Sequence, residues 1–212
     1  MGSEFLTSPF DNLLKPVDDH LIVHNELMSS LILGNKIQIH TSESGIPDLD
    51  TTKIVIIGVP ENRNSIDYLG DELNLNEIRK SLYNLYPGNW STEIADLGNL
   101  ILGENVEQTY GRIISMLSIL FEKNIIPIII GGSHDLLYAN YRAYDSFKST
   151  VNIVNIDSNF DIGDSAKPIN NLSYLGKIIL DEPHNLFNYS NLGYQTYHNS
   201  QEEIDLMENL YF

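Results

Sequence analysis

The chain has 212 residues and a mass of 24.0 kDa, which is enough for one large domain with a sizeable core. Its formal net charge is −17, from 29 acidic and 12 basic residues, so most of the surface would repel nucleic-acid phosphates and anionic membranes. Cysteine is absent, which excludes disulfides, zinc–thiolate sites and thiol nucleophiles. The amino end has no signal pattern and no apolar run is long enough for a membrane span, so we expect a cytoplasmic protein.

The first 50 residues give two weak signals. HNELMSSLILG is typical of a helix, and KIQIH alternates like an edge strand. The next segment, TKIVIIGVP, is a β-branched apolar run that is closed by Gly58 and Pro60. This pattern predicts a strand that is buried on both faces of a parallel sheet.

The segment LNLNEIRKSLYNLY predicts the first helix of the core, which ends at Pro87. Its apolar positions lie at nearly helical spacing, so we expect them to face the core. They are Leu73, Ile78, Leu82 and Leu85.

The segment STEIADLGNL predicts a second strand that leaves the sheet through Asp96 and Gly98. Asn105, with Gln108 three positions later, is a helix-capping pattern, and it predicts a second helix. The apolar stripe of that helix contains Val106, Tyr110, Ile113, Leu117 and Leu120.

A third strand, NIIPIII, runs into the turn GGSHD, and a helix from Leu136 to Phe147 leads to a fourth strand, VNIVNID. Strands and helices that alternate through short turns predict an α/β fold with three layers, a mainly parallel sheet carrying helices on both faces. Beyond this region KIIL and LFNYSNLGYQTY are strand candidates, and a Ser200–Glu203 capping box predicts a final helix from Gln201 to Tyr211.

Three candidate metal ligands follow the last two of these strands. His134 follows the third predicted strand, and Asp157 and Asp161 follow the fourth. Parallel strands release their turns at one edge of a sheet, so we expect the three side chains to converge there. One imidazole and two carboxylates suit a divalent cation of the Mn²⁺ type.

These segments resemble the ureohydrolase superfamily, which includes arginase, agmatinase and formimidoylglutamase, and they are most similar to formimidoylglutamase-like members. GGSHD, from Gly131 to Asp135, is similar to the family's GGDHS, and DSNFD, from Asp157 to Asp161, is similar to its DAHxD. EIR at Glu77 to Arg79 and DLGN at Asp96 to Asn99 match two further signatures of the family. The resemblance extends over roughly residues 50 to 212.

The resemblance implies one arginase-like domain over residues 1–212, with an amino-terminal extension over 1–50 and the sheet core over 51–212. It also implies a binuclear manganese site whose bridging hydroxide attacks a linear amidine or guanidine, and a homo-oligomeric assembly. Carried over by position, His134, Asp157 and Asp161 would hold the first ion, and Asp157 would also bridge to the second. The resemblance assigns no catalytic or substrate-binding residue in this chain.

The sequence departs from the family pattern in several places. Asn159 occupies the position of a metal-binding histidine, and a carboxamide is a poorer ligand for a transition metal. Ser133 and Asp135 exchange the two residues that flank the family's first histidine, and no histidine lies between Asp161 and Pro183. The DxDxxDP signature is also absent, so we expect a fold that is incomplete at its carboxyl end.

Two functional interpretations follow from these departures. The first is a manganese-dependent ureohydrolase that acts on a small-molecule amidine or guanidine such as formiminoglutamate, arginine or agmatine. The second is a catalytically inactive, metal-poor family member that acts as a binding or assembly protein. A divalent cation with three ligands and no bridging set is expected to be held weakly, and one ion cannot activate water as a pair can, so efficient activity is not expected.

Simpler interpretations exist for each motif. The Gly-Gly pair forms a tight turn in which Ser133 or Asp135 caps a helix, and the aspartates form an Asx turn. Trp90 and the tyrosines from Tyr189 to Tyr197 are expected to pack in the core and on strand faces rather than to form a ligand platform. GVPEN lacks a G-x-G-x-x-G turn and GGSHD lacks a phosphate-loop lysine, which excludes a nucleotide site. The remaining histidines are expected at the surface: His20, His24, His40, His184 and His198.

Overall fold

The computed structural model describes residues 9–10, 12–66, 73–164 and 166–209. The described chain forms two compact units, one with the residues up to 61 and from 73 to 132, the other with 62–66 and 133–209. Most of the strand pairs are parallel and six helices accompany the described strands, so the predicted α/β class is confirmed. The single domain over residues 1–212 stays a prediction.

The first unit is built on a five-stranded sheet. Its elements are β1 (Leu14–Lys15), α1 (Asp19–Leu27), β2 (Gln38–Ile39), β3 (Ile54–Val59), α2 (Asn76–Tyr83), β4 (Ile94–Leu100), α3 (Val106–Glu122) and β5 (Ile126–Gly131). The strand order is β1-β4-β3-β5, with β2 also paired to β4. The β1–β4 pair is antiparallel, and the other pairs are parallel.

The strand predicted in TKIVIIGVP is β3, and it lies between β4 and β5. Val55, Ile56 and Ile57 are all buried, and successive strand residues point to opposite faces of a sheet. Both faces of β3 are therefore covered, as the sequence predicts. On one face, Ile56 packs with Leu75 and with Ile130 of β5.

The predicted apolar stripe of α2 is wrong in part. Ile78 is 50% exposed and Leu85 is 57% exposed, whereas Arg79 and Tyr83 are buried. The reason is the carboxylate of Asp96, which is buried in β4 and requires donors. The helix therefore turns its polar residues toward the sheet.

Arg79 and Asp96 form a buried, bidentate ion pair. Arg79 Nε and Nη2 lie 2.9 and 3.2 Å from the two carboxylate oxygens, and the Tyr83 hydroxyl donates to the same carboxylate at 2.8 Å. Arg79 also donates to Asn99 Oδ1 at 2.6 Å and to the Gly98 carbonyl at 2.8 Å. The predicted exit of the strand at Asp96 is therefore wrong, because β4 continues to Leu100 around this network.

The helix α3 agrees with its prediction. The Asn105 side chain accepts a hydrogen bond from the Gln108 backbone N–H at 2.8 Å, which caps the first turn. The five residues of the predicted stripe are all buried. The apolar periodicity and the Asn105 cap were therefore sufficient to predict this helix from the sequence.

The second unit has a parallel two-stranded sheet and three helices. Its elements are α4 (Leu136–Arg142), β6 (Val151–Ile156), α5 (Tyr174–Leu180), β7 (Leu186–Leu192) and α6 (Gln201–Asn209). KIIL lies in α5 rather than in a strand, while LFNYSNL forms β7 as predicted. Ser200 and Glu203 form the predicted capping box of α6 through contacts of 2.9 to 3.2 Å, and the predicted end of α6 at Tyr211 lies outside the described residues.

Among the described residues of this unit, one face of the β6–β7 sheet is covered, and the other, here called the bare face, carries exposed apolar side chains. The covered face packs Ile153 and Tyr189 against Leu175 of α5, in a cluster that also contains residues of α4 and α6. On the bare face, Val154 is 67% exposed and Ile156 is 81% exposed. Because parallel sheets are normally covered on both faces, this surface is unusual for the class.

For three side chains, the predicted degree of burial is wrong. His40 is buried because it packs beside β4, where its Nδ1 lies 2.9 Å from the Leu97 carbonyl oxygen. Trp90 is 80% exposed and Tyr197 is fully exposed, so neither packs in the core. His20, His184 and His198 are exposed as expected. None of the described helices combines the length and the hydropathy needed to cross a bilayer.

Candidate metal site

The three predicted metal ligands lie together in the second unit. His134 precedes α4 by two residues, Asp157 directly follows β6, and Asp161 lies four residues further on. His134 Nδ1 lies 3.2 Å from Asp157 Oδ2 and 3.4 Å from Asp161 Oδ2. One ligand atom from each residue falls within 4.8 Å of the others. The sequence-based expectation that these side chains converge therefore agrees with the geometry, and their role as ligands stays a prediction.

The cluster is buried at one end and open at the other. The side chain of Asp161 is 1% exposed, that of Asp157 is 15% exposed, and that of His134 is 59% exposed. The carboxylates thus form the floor of a site whose imidazole side faces solvent. A cation would have access from that side, and the floor would supply the negative charge that compensates it.

The neighbouring carboxylates raise the pKa of the His134 imidazole. The hydrogen bond to Asp161 raises the pKa of His134 above its ordinary value, partial burial opposes this shift, and the charges of Asp157, Asp161 and Asp135 add to the increase. Protonation of His134 would therefore be favoured by the two carboxylates beside it. The same position suits a divalent cation, which neutralises both carboxylates at once.

Tyr174, on α5, is a member of the site that the sequence analysis missed. Its ring meets the His134 ring edge-on at 6.5 Å, and its hydroxyl accepts a hydrogen bond from Asn155 Nδ2 at 3.3 Å. Burial, followed by the nearby Asp161 charge, raises the pKa of Tyr174, which keeps the phenol protonated. No local sequence signal predicts this contact, because it depends on the docking of α5 beside the turn.

Asn159 occupies the position where the resemblance noted in the sequence implies a histidine. Its backbone N–H donates to Asp157 Oδ1 at 3.1 Å, so the Asx turn considered above is present. Its side-chain oxygen accepts a hydrogen bond from Ser158 Oγ at 2.8 Å. The side-chain oxygen of Asn159, a weak ligand for a transition metal, therefore already accepts one hydrogen bond.

The ligand set fits one cation better than two. Two carboxylates and one imidazole are suitable ligands for Mn²⁺. In the described parts of the chain, these three residues are the only His, Cys, Asp or Glu cluster of this kind. A second ion would share the same carboxylates and find an amide where it needs an imidazole, so the residues fit a single ion.

The helix-capping interpretation of GGSHD receives limited support. Asp135 occupies the amino-terminal cap position of α4, but its side chain makes no capping hydrogen bond there. The cap geometry therefore does not explain why a histidine and an aspartate follow the Gly-Gly pair. Proximity to the two aspartates does explain the placement of His134.

Sequence comparisons match this chain to known proteins. Residues 52–211 match the model of the arginase family. A formimidoylglutamase of Halalkalibacterium halodurans is 26% identical over 117 residues, which cover 50% of this chain and 37% of that protein. A formimidoylglutamase of Macrococcus caseolyticus is 28% identical over 146 residues, which cover 66% of this chain and 45% of that protein. The chain thus spans less than half the length of these two relatives.

Solved structures give the same fold. A formiminoglutamase of Trypanosoma cruzi, crystallised with Mn²⁺, matches with a TM-score of 0.67 at 18% identity over 76% of this chain and 59% of that chain. The formimidoylglutamase of Bacillus subtilis matches with a TM-score of 0.61 at 21% identity over 80% of this chain and 61% of that chain. The predicted resemblance is confirmed, and this chain belongs to the arginase family.

Proposed function

We propose that this chain binds one divalent cation of the Mn²⁺ type through His134, Asp157 and Asp161, and that its reaction class is that of a ureohydrolase. The observation that carries the proposal is the convergence of the three ligand atoms within 4.8 Å at the end of β6. The reaction would be hydrolysis of a C–N bond in a linear amidine or guanidine. The family membership supports the reaction class.

A divalent cation held by His134, Asp157 and Asp161 would supply Lewis-acid chemistry, by polarising the bond that is attacked and by lowering the pKa of water. The residues of the chain have simpler tasks. Asp157 and Asp161 form the negative floor of the site, and the Tyr174 ring packs edge-on beside the His134 ring. His134 forms the solvent-facing wall, on the side from which a small cationic substrate would approach.

Low turnover is expected because the second ion lacks a ligand set. Asn159 offers a carboxamide oxygen, which already accepts from Ser158, in place of an imidazole, and no histidine stands between Asp161 and Pro183 to protonate a leaving amine. The manganese structures of the Trypanosoma cruzi relative support Mn²⁺ as the cation to test first. The substrates to test are formiminoglutamate, arginine and agmatine.

The competing function is that of a catalytically inactive relative that acts in binding or assembly. Two observations favour it: the engaged side chain of Asn159 and the bare apolar face of β6–β7, where Val154 and Ile156 are exposed. Exposed apolar patches on a folded protein are typical of interaction surfaces. Cation binding and product release distinguish the two functions.

The test combines Mn²⁺ titration by calorimetry with product assays, namely urea from arginine or agmatine and glutamate from formiminoglutamate. We expect saturable Mn²⁺ binding, slow hydrolysis of one substrate, and loss of both in His134→Ala. The matched control is His184→Ala, which removes an exposed histidine of the same unit and should change neither.

Asn159→His provides the complementary experiment. This substitution supplies the imidazole that the family pattern has at this position and frees Ser158, so we expect tighter Mn²⁺ binding and faster hydrolysis. Unchanged binding would mean that more than one ligand of the second ion is missing. Absence of Mn²⁺ binding by the unaltered protein would refute the proposed function and leave the binding or assembly role.

A further inference from the structure

The turn that carries both aspartates is held by a distant part of the chain. Residues 191–199 contact the backbone of the turn between Asp157 and Asp161 at several points. Gln195 N–H donates to the Ser158 carbonyl at 2.9 Å, and Asn191 Nδ2 donates to the Asn159 carbonyl at 2.8 Å. These are backbone contacts, so they depend on the path of the turn rather than on its side chains.

Asn199 makes the largest set of these contacts. Its Nδ2 donates to the Ser158 carbonyl at 2.9 Å and to the Gln195 carbonyl at 2.8 Å, and its Oδ1 accepts from the Phe160 N–H at 2.8 Å. One side chain thereby uses both donors and its acceptor, and it connects two points of the metal-binding turn to residue 195. The Phe160 ring also packs on the Tyr194 ring at 4.9 Å between centroids.

The turn requires such support for two reasons. Asp161 has a φ of 56°, a left-handed conformation that costs a non-glycine residue free energy unless its surroundings impose it. Asp157 and Asp161 also bring two negative charges together beside His134, and like charges repel. Asn199 holds the backbone between the two carboxylates. It therefore opposes both the relaxation of Asp161 from its left-handed conformation and the separation of the two charges.

We propose that Asn199 is a positioning residue of the cation site, which holds the 157–161 turn in the conformation that aims both carboxylates at one ion. By thermodynamic linkage, cation binding and the docking of residues 194–199 on the turn strengthen each other. This inference rests on the proposed function, because it assumes that the site binds a divalent cation. It adds a residue nearly forty positions away from the motif, which the family resemblance does not assign.

The test compares Mn²⁺ affinity and thermal stability in the unaltered protein, Asn199→Ala and Asn185→Ala. Asn185 is the matched control, because it is a half-buried asparagine of the same unit whose Nδ2 donates to Asp145 at 2.7 Å, away from the turn. We expect Asn199→Ala to weaken Mn²⁺ binding by about tenfold or more, as is usual for residues that orient ligands. Asn185→Ala should lower the melting temperature without weakening Mn²⁺ binding.

A second measurement needs no variant. Hydrogen exchange of the unaltered protein should slow by roughly fivefold or more at the Phe160 and Gln195 amides when Mn²⁺ is added, because both N–H groups donate within the contacts described above. The Asn185 amide, which donates to the Tyr141 hydroxyl, should be unaffected.

The outcomes separate the two claims. Mn²⁺ binding that is equal in the unaltered protein and Asn199→Ala, or amide exchange that Mn²⁺ leaves unchanged, would overturn the positioning role alone. Failure of the unaltered protein to bind Mn²⁺ would instead overturn the proposed function, and the positioning role with it.

Discussion

The buried ion pair between α2 and β4 gives the sharpest prediction about stability. In the folded chain the Asp96 carboxylate accepts four hydrogen bonds: two from Arg79, one from the Tyr83 hydroxyl at 2.8 Å and one from the Gly98 N–H at 2.8 Å. Arg79→Leu removes both charged donors and leaves a buried carboxylate with two neutral ones. Breaking a buried pair in this way costs about 3–5 kcal/mol.

The same loss of unfolding free energy can be expressed as a decrease in melting temperature. For a protein of this size, each kcal/mol shifts the midpoint by a few degrees, so Arg79→Leu should lower it by roughly 6–20 °C. Urea unfolding followed by circular dichroism gives the free energy directly. Lys80→Leu, which removes one positive charge from the same helix, is the control and should change stability by less than about 1 kcal/mol.

A double variant tests the physical reason for the loss. Adding Asp96→Asn to Arg79→Leu removes the unpaired charge, so the double variant should be less destabilised than the sum of the two single variants. A loss below about 1 kcal/mol for Arg79→Leu, or strictly additive losses, would refute the reasoning. In that case the EIR and DLGN motifs would need an explanation other than this ion pair.

Three further predictions concern the second unit. Arg142→Met should cost about 1.5–3 kcal/mol in urea unfolding, because Arg142 donates to the Glu182 and Pro183 carbonyls at 3.0 and 2.8 Å, and Arg142→Lys should restore less than half of the loss. Leu175→Ala should cost about 2–5 kcal/mol, because that side chain is fully buried in the core; a smaller cost would mean that the core collapses around the cavity. Burial and the hydrogen bond to Asp181 raise the pKa of Tyr138 to about 12. The protonated phenol therefore stabilises the folded state below about pH 10, the ordinary pKa of tyrosine, and this contribution is lost as the pH rises to about 12. Tyr138→Phe should remove that part of the pH dependence of unfolding, and an unchanged profile would contradict the assignment.

Local patterns predicted the elements whose burial depends on their own residues. β3 is apolar on both faces, and α3 combines a five-residue stripe with an Asn105 cap, so periodicity and capping were sufficient. The face of α2 could not be read in this way, because Asp96 on another strand decides which side of the helix is buried. KIIL was wrongly predicted as a strand, because β-branched residues are also compatible with a buried helix.

The residues of the candidate site also fall into two groups, those that local motifs predict and those whose contacts depend on tertiary packing. His134, Asp157 and Asp161 could be proposed from sequence because each follows a predicted strand in a motif with known chemistry. Tyr174 and Asn199 could not, because their contacts with the site depend on how α5 and residues 194–199 pack. The hydrogen bond from Ser158 to Asn159 was equally hidden, although the substitution itself was visible in the sequence.

The central claim is that this chain holds one divalent cation with His134, Asp157 and Asp161. Native mass spectrometry of the metal-free protein, titrated with Mn²⁺, measures the number of bound ions directly. We predict one Mn²⁺ per chain, and none in His134→Ala. Two ions per chain, or one ion that persists in His134→Ala, would contradict the account.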